Sequence, residues 1–360
     1  MSLSQRLQTL SAALPKLQVD AFLITHLPNV RYLCGFTGSA GALLGGGAEP
    51  VFFTDGRYTA QAREQVRGAR VEIAKGPLLS TVAEALQRNR FQTRLGIEGD
   101  HMTVAQEARL GALLPKPWRL RPLSGVVERQ RRIKDATEIQ LVRAAVNLGS
   151  SLFPFLLKAL RPGVPETTIS AKLEYAARQA GAEGMAFDTI VAAGPRSALP
   201  HGRASATPIP RRGFVVLDFG VILAGYCSDM TRTVAMGRLS AQQRGWYAAV
   251  LEAQLAGIAA VRAGVTAGEV DEASRKVLKR SRLAKYFTHS TGHGVGLEIH
   301  ESPRLAAGET TVLEPAMVLT IEPGVYVPGI GGVRIEDMVL VTKTGCDNLT
   351  PTSKELIAQQ

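Results

Sequence analysis

The feature that most constrains the fold is a pair of apolar segments that each carry one acidic residue. Residues 214–220 (FVVLDFG) have the composition of a buried strand and contain Asp218, and residues 227–236 (CSDMTRTVAM) form a second such segment with Asp229. An antiparallel hairpin turning near residues 223–225 would place the two carboxylates directly opposite or one step diagonal to each other, on one face. Because burying an unpaired carboxylate costs several kcal/mol, this hairpin predicts a binding partner for its acids.

A similar pattern returns in the C-terminal part of the chain. The segments VLTIE and VRIEDMV flank a turn rich in Pro and Gly, and their acids Glu322 and Glu336 are equidistant from Gly329 in that turn. Helix-turn phrases that begin at Arg161 and at Arg262 repeat at nearly the same spacing as the acids. The sequence therefore predicts two similar helix-plus-hairpin halves, each contributing one pair of carboxylates.

The four acids favour a metal site. Two divalent cations would balance the charge of four carboxylates, and oxygen ligands suit Mn²⁺ or Co²⁺ at least as well as Zn²⁺. The alternative is that each acid pairs with a neighbouring base, such as Arg232 or Arg334. That alternative covers one or two of the acids and accounts less well for two symmetric pairs.

The placement of the histidines also favours a site. Of six histidines, His289, His293 and His300 fall in one glycine-rich segment, HSTGHGVGLEIH. Imidazole is a common metal ligand and a common general acid or base. His201 lies in the sequence LPHG, on a loop just before the first acidic strand. These four histidines are therefore candidates for binding or catalysis.

The N-terminal part of the chain has a different organisation. Residues 1–125 alternate helical and strand-like segments, which predicts an α/β domain. Three prolines then break the pattern and mark a boundary with a second part, residues 126–360. The glycine spacing in residues 35–41 (GFTGSAG) matches neither a dinucleotide-binding loop nor a Lys-bearing phosphate loop, so a structural turn is expected there.

Composition narrows the class of protein. The chain has no uninterrupted run of the roughly 18 apolar residues that a membrane helix needs, and its polar start (MSLSQRLQTL) lacks a signal-peptide pattern. We therefore expect a soluble cytoplasmic protein. The three cysteines, Cys34, Cys227 and Cys346, show neither the spacing of a zinc site nor a disulfide framework. Free thiols are expected.

The net charge of +11 is spread along the chain and says little about a partner. The one dense basic run, residues 129–134 (RQRRIK), has no aromatic stacking motif beside it. An exposed helix start or linker is therefore favoured over a nucleic-acid patch. We expect neither a nucleic-acid partner nor a membrane partner.

Five residues, in this order along the chain, resemble the ligand set of the pita-bread metallopeptidases: Asp218, Asp229, His293, Glu322 and Glu336. The phrases LDFG, SDMTRT, HSTGHGVGLEIHE, TIEPG and VRIED are similar to those of the branch that holds aminopeptidase P and prolidase. The phrases NVRYLCGFTGSAGALL and FFTDGRYTAQAREQV are similar to the creatinase-like N-terminal domain of that branch, which methionine aminopeptidases lack. The resemblance implies an α+β protein, with a pita-bread catalytic domain of duplicated halves (126–360) after a smaller α/β domain (1–125).

The resemblance also implies a role for each ligand. Asp229 and Glu336 would bridge two metal ions, Asp218 would hold the second ion, and His293 and Glu322 would hold the first. A water shared between the metals would attack the substrate, with Glu322 or Glu336 accepting its proton. Mn²⁺ is the expected metal, with Co²⁺ and Zn²⁺ as alternatives that the same ligands accept.

Further residues are implied to contact the substrate. His201 and His300 would contact the scissile carbonyl and the tetrahedral intermediate as electrophilic donors. His289 would line the pocket for proline, and Tyr326 would close the pocket or belong to the core. Arg334 would face the substrate site and, together with a threonine, orient the bridging acids. That threonine is Thr231.

The implied activity is hydrolysis of the peptide bond before proline. The phrases GFTGSAG and TDGRYTAQA favour aminopeptidase P, which removes the first residue of a longer peptide with proline second. The alternative is prolidase, which accepts only the dipeptide. The N-terminal domain in this branch reaches toward a neighbouring subunit, so a homodimer is expected.

Two other classes share the fold. Creatinase hydrolyses creatine without metals and lacks the ligand set, and non-catalytic pita-bread modules that bind protein partners typically lose ligands. Since all five ligand positions here carry ligating residues, both classes are disfavoured. The preferred residue before proline and the physiological substrate do not follow from the sequence.

Overall fold

The computed structural model describes residues 1–46, 49–88 and 93–359, and the chain divides into two compact units, Met1–Arg131 and Arg132–Gln360. The boundary predicted from the prolines falls after residue 125. In the structure the following short helix belongs to the first unit, because Arg131 Nη1 donates a hydrogen bond to Asn29 Oδ1 at 2.8 Å.

The described residues of the first unit form six α-helices, six strands and a short 3₁₀-helix (Gly56–Tyr58). The helices are α1 (Leu3–Ala13), α2 (Leu27–Cys34), α3 (Thr59–Gln65), α4 (Leu78–Arg88), α5 (Val104–Leu113) and α6 (Glu128–Arg131). The strands are β1 (Ala21–Ile24), β2 (Ala42–Gly45), β3 (Val51–Asp55), β4 (Arg70–Ala74), β5 (Arg94–Glu98) and β6 (Arg119–Leu123). They form one mixed sheet in the order β4-β3-β2-β1-β5-β6, in which β2 runs antiparallel to both of its neighbours.

The glycine-rich segment after α2 has the structural role that was predicted. Gly35 ends the helix with φ +85°, a left-handed conformation that glycine adopts without strain. A Cβ on Gly38 would lie 2.3 Å from the Phe36 ring, and one on Gly41 would lie 2.7 Å from the Phe52 ring. These glycines therefore allow the chain to pass close to buried aromatic side chains.

The second unit contains four long helices and fourteen short strands. The helices are α7 (Ala136–Ala159), α8 (Glu166–Gln179), α9 (Ala241–Ala260) and α10 (Ala267–Arg280). The strands up to α9 are β7 (Gly184–Met185), β8 (Ile190–Ala193), β9 (Gly213–Phe219), β10 (Val221–Leu223), β11 (Tyr226–Cys227) and β12 (Met230–Met236). Those after α10 are β13 (Gly292–Gly294), β14 (Glu301–Leu305), β15 (Val318–Ile321), β16 (Gly324–Val327), β17 (Gly331–Arg334), β18 (Asp337–Val341), β19 (Cys346–Asn348) and β20 (Ala358–Gln359).

The second unit is built from two similar halves, as predicted. In the first half, α7 packs on α8 and the sheet order is β20-β12-β9-β8; in the second half, α9 packs on α10 and the order is β14-β13-β15-β18-β19. The residue before α8, Pro165, bridges Pro208, and the residue before α10, Thr266, bridges Val312. Each half thus combines a helix pair with a mainly antiparallel sheet, and the acidic hairpins are built on these sheets.

Two predictions about polar segments have different outcomes. All three cysteines are free thiols, as expected, and burial raises the pKa of Cys34 to about 12.

The basic run 129–134 was expected to be exposed, and this was wrong for two of its members. Arg131 is 2% and Lys134 3% exposed, and Lys134 Nζ lies 3.1 Å from Glu301 Oε2, so an ion pair compensates the buried lysine.

Among the described helices, α7 alone has the length and apolar composition that would allow it to cross a membrane. Core helices of globular proteins often meet the same criterion. Val142 and Val146 of α7 pack in one hydrophobic cluster of the second unit, and Leu152, Phe153 and Leu156 pack in another. This buried face explains the apolar composition of the helix.

Candidate metal centre

The first acidic hairpin has the diagonal arrangement that was one of the two predicted. β9 and β12 pair antiparallel with Thr231 opposite Asp218, so Asp229 lies two residues from the partner of Asp218 and points to the same face. The chain between them forms the β10–β11 hairpin, whose turn residues Ala224 and Gly225 have φ values of 47° and 80°. Two positive φ values in succession are typical of the tight hairpin turn that matches strand twist.

The second acidic hairpin brings its carboxylates directly opposite each other. β15 and β18 pair with Ile321 opposite Asp337, and β16 and β17 continue the same register with Gly324 opposite Arg334. Glu322 and Glu336 occupy the intervening pair of positions. This register confirms the prediction made from their equal distance to the glycine-rich turn.

The two hairpins and a histidine converge on one point. One ligand atom from each of Asp229, His293 and Glu336 lies within 4.8 Å of the other two. His293 Nε2 lies 3.3 Å from Glu322 Oε1 and 3.6 Å from Asp229 Oδ2. His293 Nδ1 is 3.0 Å from the carbonyl oxygen of Gly294, which fixes the proton there and leaves Nε2 as the ligand atom.

Burial changes the protonation of these groups. Desolvation, followed by the charges of neighbouring acids, raises the pKa of Asp229 and of Glu336 well above the ordinary value. Desolvation also raises the pKa of Glu322 to about 8 and lowers the pKa of His293 to about 4. The cluster therefore favours a neutral imidazole and disfavours ionised carboxylates, and a nearby cation would favour their ionised form.

The residues fit a pair of divalent cations. Asp218 Oδ1 is buried and has no hydrogen-bond partner among the described residues, although Arg334 Nη2 donates to its other oxygen at 2.5 Å. Arg232, the other base considered as a partner, forms an ion pair with Asp337 at 2.7 Å instead. Simple ion pairing thus accounts for one acid of the four, and an orphaned carboxylate oxygen remains for a metal.

A cavity of about 840 Å³ opens onto these groups. This volume lies within the range typical of sites for small ligands. Its wall includes all five predicted ligands, Arg334 and three of the predicted substrate-contacting residues, His201, His289 and His300. The rings of His293 and His300 meet edge to face, with centroids 4.4 Å apart.

Comparison with known proteins decides the family. The model of metallopeptidase family M24 matches residues 140–343, and the model of the creatinase/prolidase N-terminal domain matches residues 6–133. The chain belongs to metallopeptidase family M24. Its second unit is the pita-bread domain of that family and its first unit is the creatinase-like N-terminal domain, as the sequence predicted.

Relatives of this M24 metallopeptidase match it over nearly their whole length. An Xaa-Pro dipeptidase of Pyrococcus horikoshii is 36% identical over 99% of both chains. The structure of an Xaa-Pro dipeptidase from Bacillus anthracis is 41% identical, with a TM-score of 0.97 over 99% of this chain and 100% of that one. An X-Pro aminopeptidase from Thermotoga maritima is 33% identical, with a TM-score of 0.89 over 96% and 99% of the two chains.

Arg334 connects the acids of the M24 site. Besides binding Asp218, its Nε donates to Thr231 Oγ1 at 3.1 Å, and Thr231 Oγ1 donates to Glu336 Oε2 at 2.7 Å. Its Nη1 donates to Tyr326 Oη at 2.6 Å. Arg334 and Thr231 therefore contact one carboxylate from each hairpin, Asp218 and Glu336, whereas the resemblance implied contacts with Asp229 and Glu336.

Tyr326 lies behind the cavity wall. It is 5% exposed, and it is absent from the described residues that line the cavity. Its hydroxyl lies 2.8 Å from His289 Nε2, while His289 Nδ1 lies 2.8 Å from the carbonyl oxygen of Ser290. Because a carbonyl oxygen only accepts, His289 Nδ1 carries the proton of the neutral ring, so Nε2 accepts from the tyrosine hydroxyl. Tyr326 is thus placed to orient His289 from behind the wall.

Sequence reasoning missed four charged residues of the cavity wall. Asp188 pairs with Arg203 and Glu301 pairs with Lys134, and the fourth is Arg304. It lies on β14 directly opposite His293 of β13, so the two side chains share a face of the sheet. Arg304 is exposed and has no ion-pair partner among the described residues. The available signal was a lone arginine four residues after His300, but only the strand pairing shows that it faces the cavity.

Proposed function

We propose that this M24 metallopeptidase is an Xaa-Pro dipeptidase. The observation that carries the proposal is the position of Arg304. This exposed cation lies on the cavity wall, directly opposite His293 on the neighbouring strand. In a dipeptide the C-terminal carboxylate is separated from the scissile bond by a single residue. A guanidinium close to the metal ligands is well suited to bind that carboxylate through paired hydrogen bonds.

The similarity to relatives supports the same assignment. The aligned structure with the higher TM-score and identity is that of an Xaa-Pro dipeptidase, whereas the N-terminal phrases of the sequence favoured aminopeptidase P. Those phrases lie in the first unit, outside the cavity wall. The residues of the wall are therefore the better guide to the length of the substrate.

The ligand assignment is part of the proposal. Asp229 and Glu336 would bridge two divalent ions, Asp218 would complete one site, and His293 and Glu322 would complete the other, with Mn²⁺ as the expected metal. When bound there, the ions would activate a water and polarise the scissile carbonyl.

The chain's own residues would position and move protons. Glu322 has the most accessible side chain of the four acids, 16% exposed compared with 10% for Asp218 and 6% for Asp229. Glu322 would take the proton of the attacking water and return it to the proline nitrogen, which must be protonated to leave. Burial lowers the pKa of His300, so a neutral imidazole would be available there to donate to the carbonyl oxygen, and His201 would assist it from the opposite loop.

The test uses one dipeptide, its C-terminal amide and a tripeptide. The protein is stripped with chelator and restored with Mn²⁺, and cleavage of Xaa-Pro, Xaa-Pro-amide and Xaa-Pro-Yaa is followed by mass spectrometry. The dipeptide is expected to be cleaved fastest. Hydrolysis of the tripeptide at a rate equal to or above that of the dipeptide would overturn the proposal.

A variant of Arg304 makes the test sharper. Arg304→Met is expected to raise the KM for the dipeptide by about 10–100-fold, since hydrogen bonds to a charged group contribute about 1.5–3 kcal/mol. The KM for the dipeptide amide, which has no carboxylate, should stay unchanged. Equal effects on the two substrates would exclude Arg304 as the carboxylate-binding residue.

Xaa-Pro aminopeptidase activity is the second candidate. The cavity of about 840 Å³ has room for more than a dipeptide, and the relative from Thermotoga maritima is an X-Pro aminopeptidase. This function predicts that the tripeptide is cleaved after its first residue and that Arg304→Met has little effect on that cleavage.

A further inference from the structure

We infer that Glu166 is a positioning residue that fixes the loop carrying His201. This inference rests on the proposed function, in which His201 contacts the substrate. The loop joins β8 to β9, and His201 itself is exposed near its middle. Glu166 is the first residue of α8, outside the metal cluster and outside the cavity wall.

The chain on both sides of His201 is bound to this one carboxylate. The backbone N–H of Ala193, at the end of β8, donates to Glu166 Oε1 at 2.8 Å. On the other side of His201, the backbone N–H of Ser205 donates to Glu166 Oε2 at 3.0 Å, and the Ser205 hydroxyl donates to the same oxygen at 2.7 Å. Glu166 therefore closes the base of the loop.

An arginine adds a second connection across the loop. Arg196 Nε lies 3.1 and 3.3 Å from the two oxygens of Glu166, and Arg196 Nη2 donates to the carbonyl oxygen of Arg203 at 2.6 Å. The backbone carbonyl of Pro200, next to His201, accepts from Arg334 Nη1 at 3.0 Å. Glu166 thus binds the chain on both sides of His201, and Arg334 binds the residue before the histidine.

The chemistry of the site requires an ionised carboxylate. Every group that hydrogen-bonds to the carboxylate of Glu166 is a donor, and the side chain of Glu166 is fully buried. A glutamine of the same shape would turn an NH₂ group toward either the Ala193 side or the Ser205 side, where it meets another donor. One end of the loop would then lose its acceptor, so Glu166→Gln tests the charge and leaves the volume unchanged.

The kinetic test is a double-mutant cycle with His201. Because displacing a group from a productive geometry costs on the order of 10²-fold in rate, Glu166→Gln is expected to lower kcat by about that factor with KM nearly unchanged. The double variant Glu166→Gln/His201→Ala should be no slower than His201→Ala alone, since the lost positioning acts through the histidine. Glu174→Gln, at an exposed position of the same helix, is the matched control and should behave as wild type.

Two readouts do not depend on turnover. Amide hydrogen exchange at Ser205 should be faster in Glu166→Gln than in wild type, and the bound Mn²⁺ per chain should be equal in both. Unchanged exchange, loss of metal, or additive effects in the double-mutant cycle would each overturn the inference. If wild type cleaves no proline peptide, the proposed function fails, and the exchange measurement still decides whether Glu166 anchors the loop.

A milder variant covers the case in which Glu166→Gln does not fold. Ser205→Ala removes one hydroxyl, which donates to Glu166 and accepts from the N–H of Thr207, and leaves the carboxylate and its contacts with backbone N–H groups in place. It should lower kcat by less than Glu166→Gln, again with no additional loss in the presence of His201→Ala. An additive loss in this second cycle would contradict the inference independently.

Discussion

The two halves of the second unit hold their acids in different registers. In the first half the acids are diagonal, so Thr231 and not Asp229 lies opposite Asp218. In the second half Glu322 and Glu336 lie directly opposite each other, and Arg334 follows on the adjoining hairpin. The diagonal register places the hydroxyl-bearing Thr231 opposite Asp218 in the first half, whereas the second half supplies the guanidinium of Arg334.

This difference lets each half support the acids of the other. Thr231 of the first half donates to Glu336 of the second, while Arg334 of the second half donates to Asp218 of the first. Arg334 also donates to Thr231, which joins the two contacts. The metal cluster is therefore complete only when the two halves are docked, although each half carries its own carboxylate pair.

The largest effect is expected from removing an acid at the point where the halves meet. Glu336→Gln keeps the shape of the side chain but removes the charge that Thr231 supports and that a metal would use. Because a metal supplies several kcal/mol of transition-state stabilisation, peptidase activity should fall by about 10³-fold or more. Metal analysis of the purified variant should find fewer ions per chain than in wild type. Full metal content with full activity would remove Glu336 from the ligand set.

Removing the shared guanidinium should break the link between the halves. Arg334→Met leaves the buried carboxylate of Asp218 without its ion-pair partner, and breaking a buried pair costs about 3–5 kcal/mol. Urea unfolding of chelated protein should show a loss of this size. In protein restored with Mn²⁺ the loss should be smaller, because the ion compensates Asp218. Equal losses in the two states would mean that Asp218 does not bind metal.

Neutralising a buried acid behind the histidine segment should weaken metal binding through the second half alone. Asp271 Oδ1 accepts from the backbone N–H and the hydroxyl of Thr291, and the carbonyl of Thr291 accepts from the N–H of Glu322. Since groups that orient ligands typically contribute 10–100-fold to metal affinity, Asp271→Asn should weaken Mn²⁺ binding by about that factor. Calorimetric titration measures it, with the exposed neighbour Glu272→Gln as the control. Unchanged affinity in Asp271→Asn would limit its role to packing.

The smallest effect, counted per pH unit, is the change in stability of the metal-free protein with pH. Burial raises the pKa of Glu322 from 4.5 to about 8 and also raises the pKa of Asp229 and Glu336. An acid with a raised folded-state pKa stabilises the fold below its unfolded pKa, and this stability is lost as pH rises through the folded value. Chelated protein should therefore lose up to about 1.4 kcal/mol per pH unit from Glu322 between pH 4.5 and 8, and Asp229 and Glu336 should add losses in the same direction. Restoring Mn²⁺ should flatten the curve; a flat curve without metal would contradict the raised pKa values.

The sequence predicted those parts of the site that depend on local strand patterns. The equal spacing of Glu322 and Glu336 around a turn predicted their register, and the apolar segments around Asp218 and Asp229 predicted a hairpin. Contacts between the halves could not be predicted, because they depend on how the two sheets dock. The positions of Arg304 opposite His293 and of Tyr326 behind His289 lie within the second half, and they too depend on how segments pair and pack in space.

Burial of charge was the other property that local patterns did not reveal. The basic run was expected to be exposed, yet Lys134 pairs with Glu301, an acid distant in sequence that lies on the cavity wall beside His300. Glu166 is a similar case, since its partners Ala193 and Ser205 lie on either side of a loop. Such side chains are recognised from their partners in space, whereas the surrounding residues resemble an ordinary exposed helix start.

The most direct test of the central claim is a titration of chelated protein with Mn²⁺ in which bound metal and hydrolysis of an Xaa-Pro dipeptide are measured on the same samples. The account predicts binding of two ions per chain and dipeptide cleavage that appears as they bind. Hydrolysis that survives complete chelation, or a fully folded protein that binds no Mn²⁺, would contradict the assignment of Asp218, Asp229, His293, Glu322 and Glu336 as a metal centre.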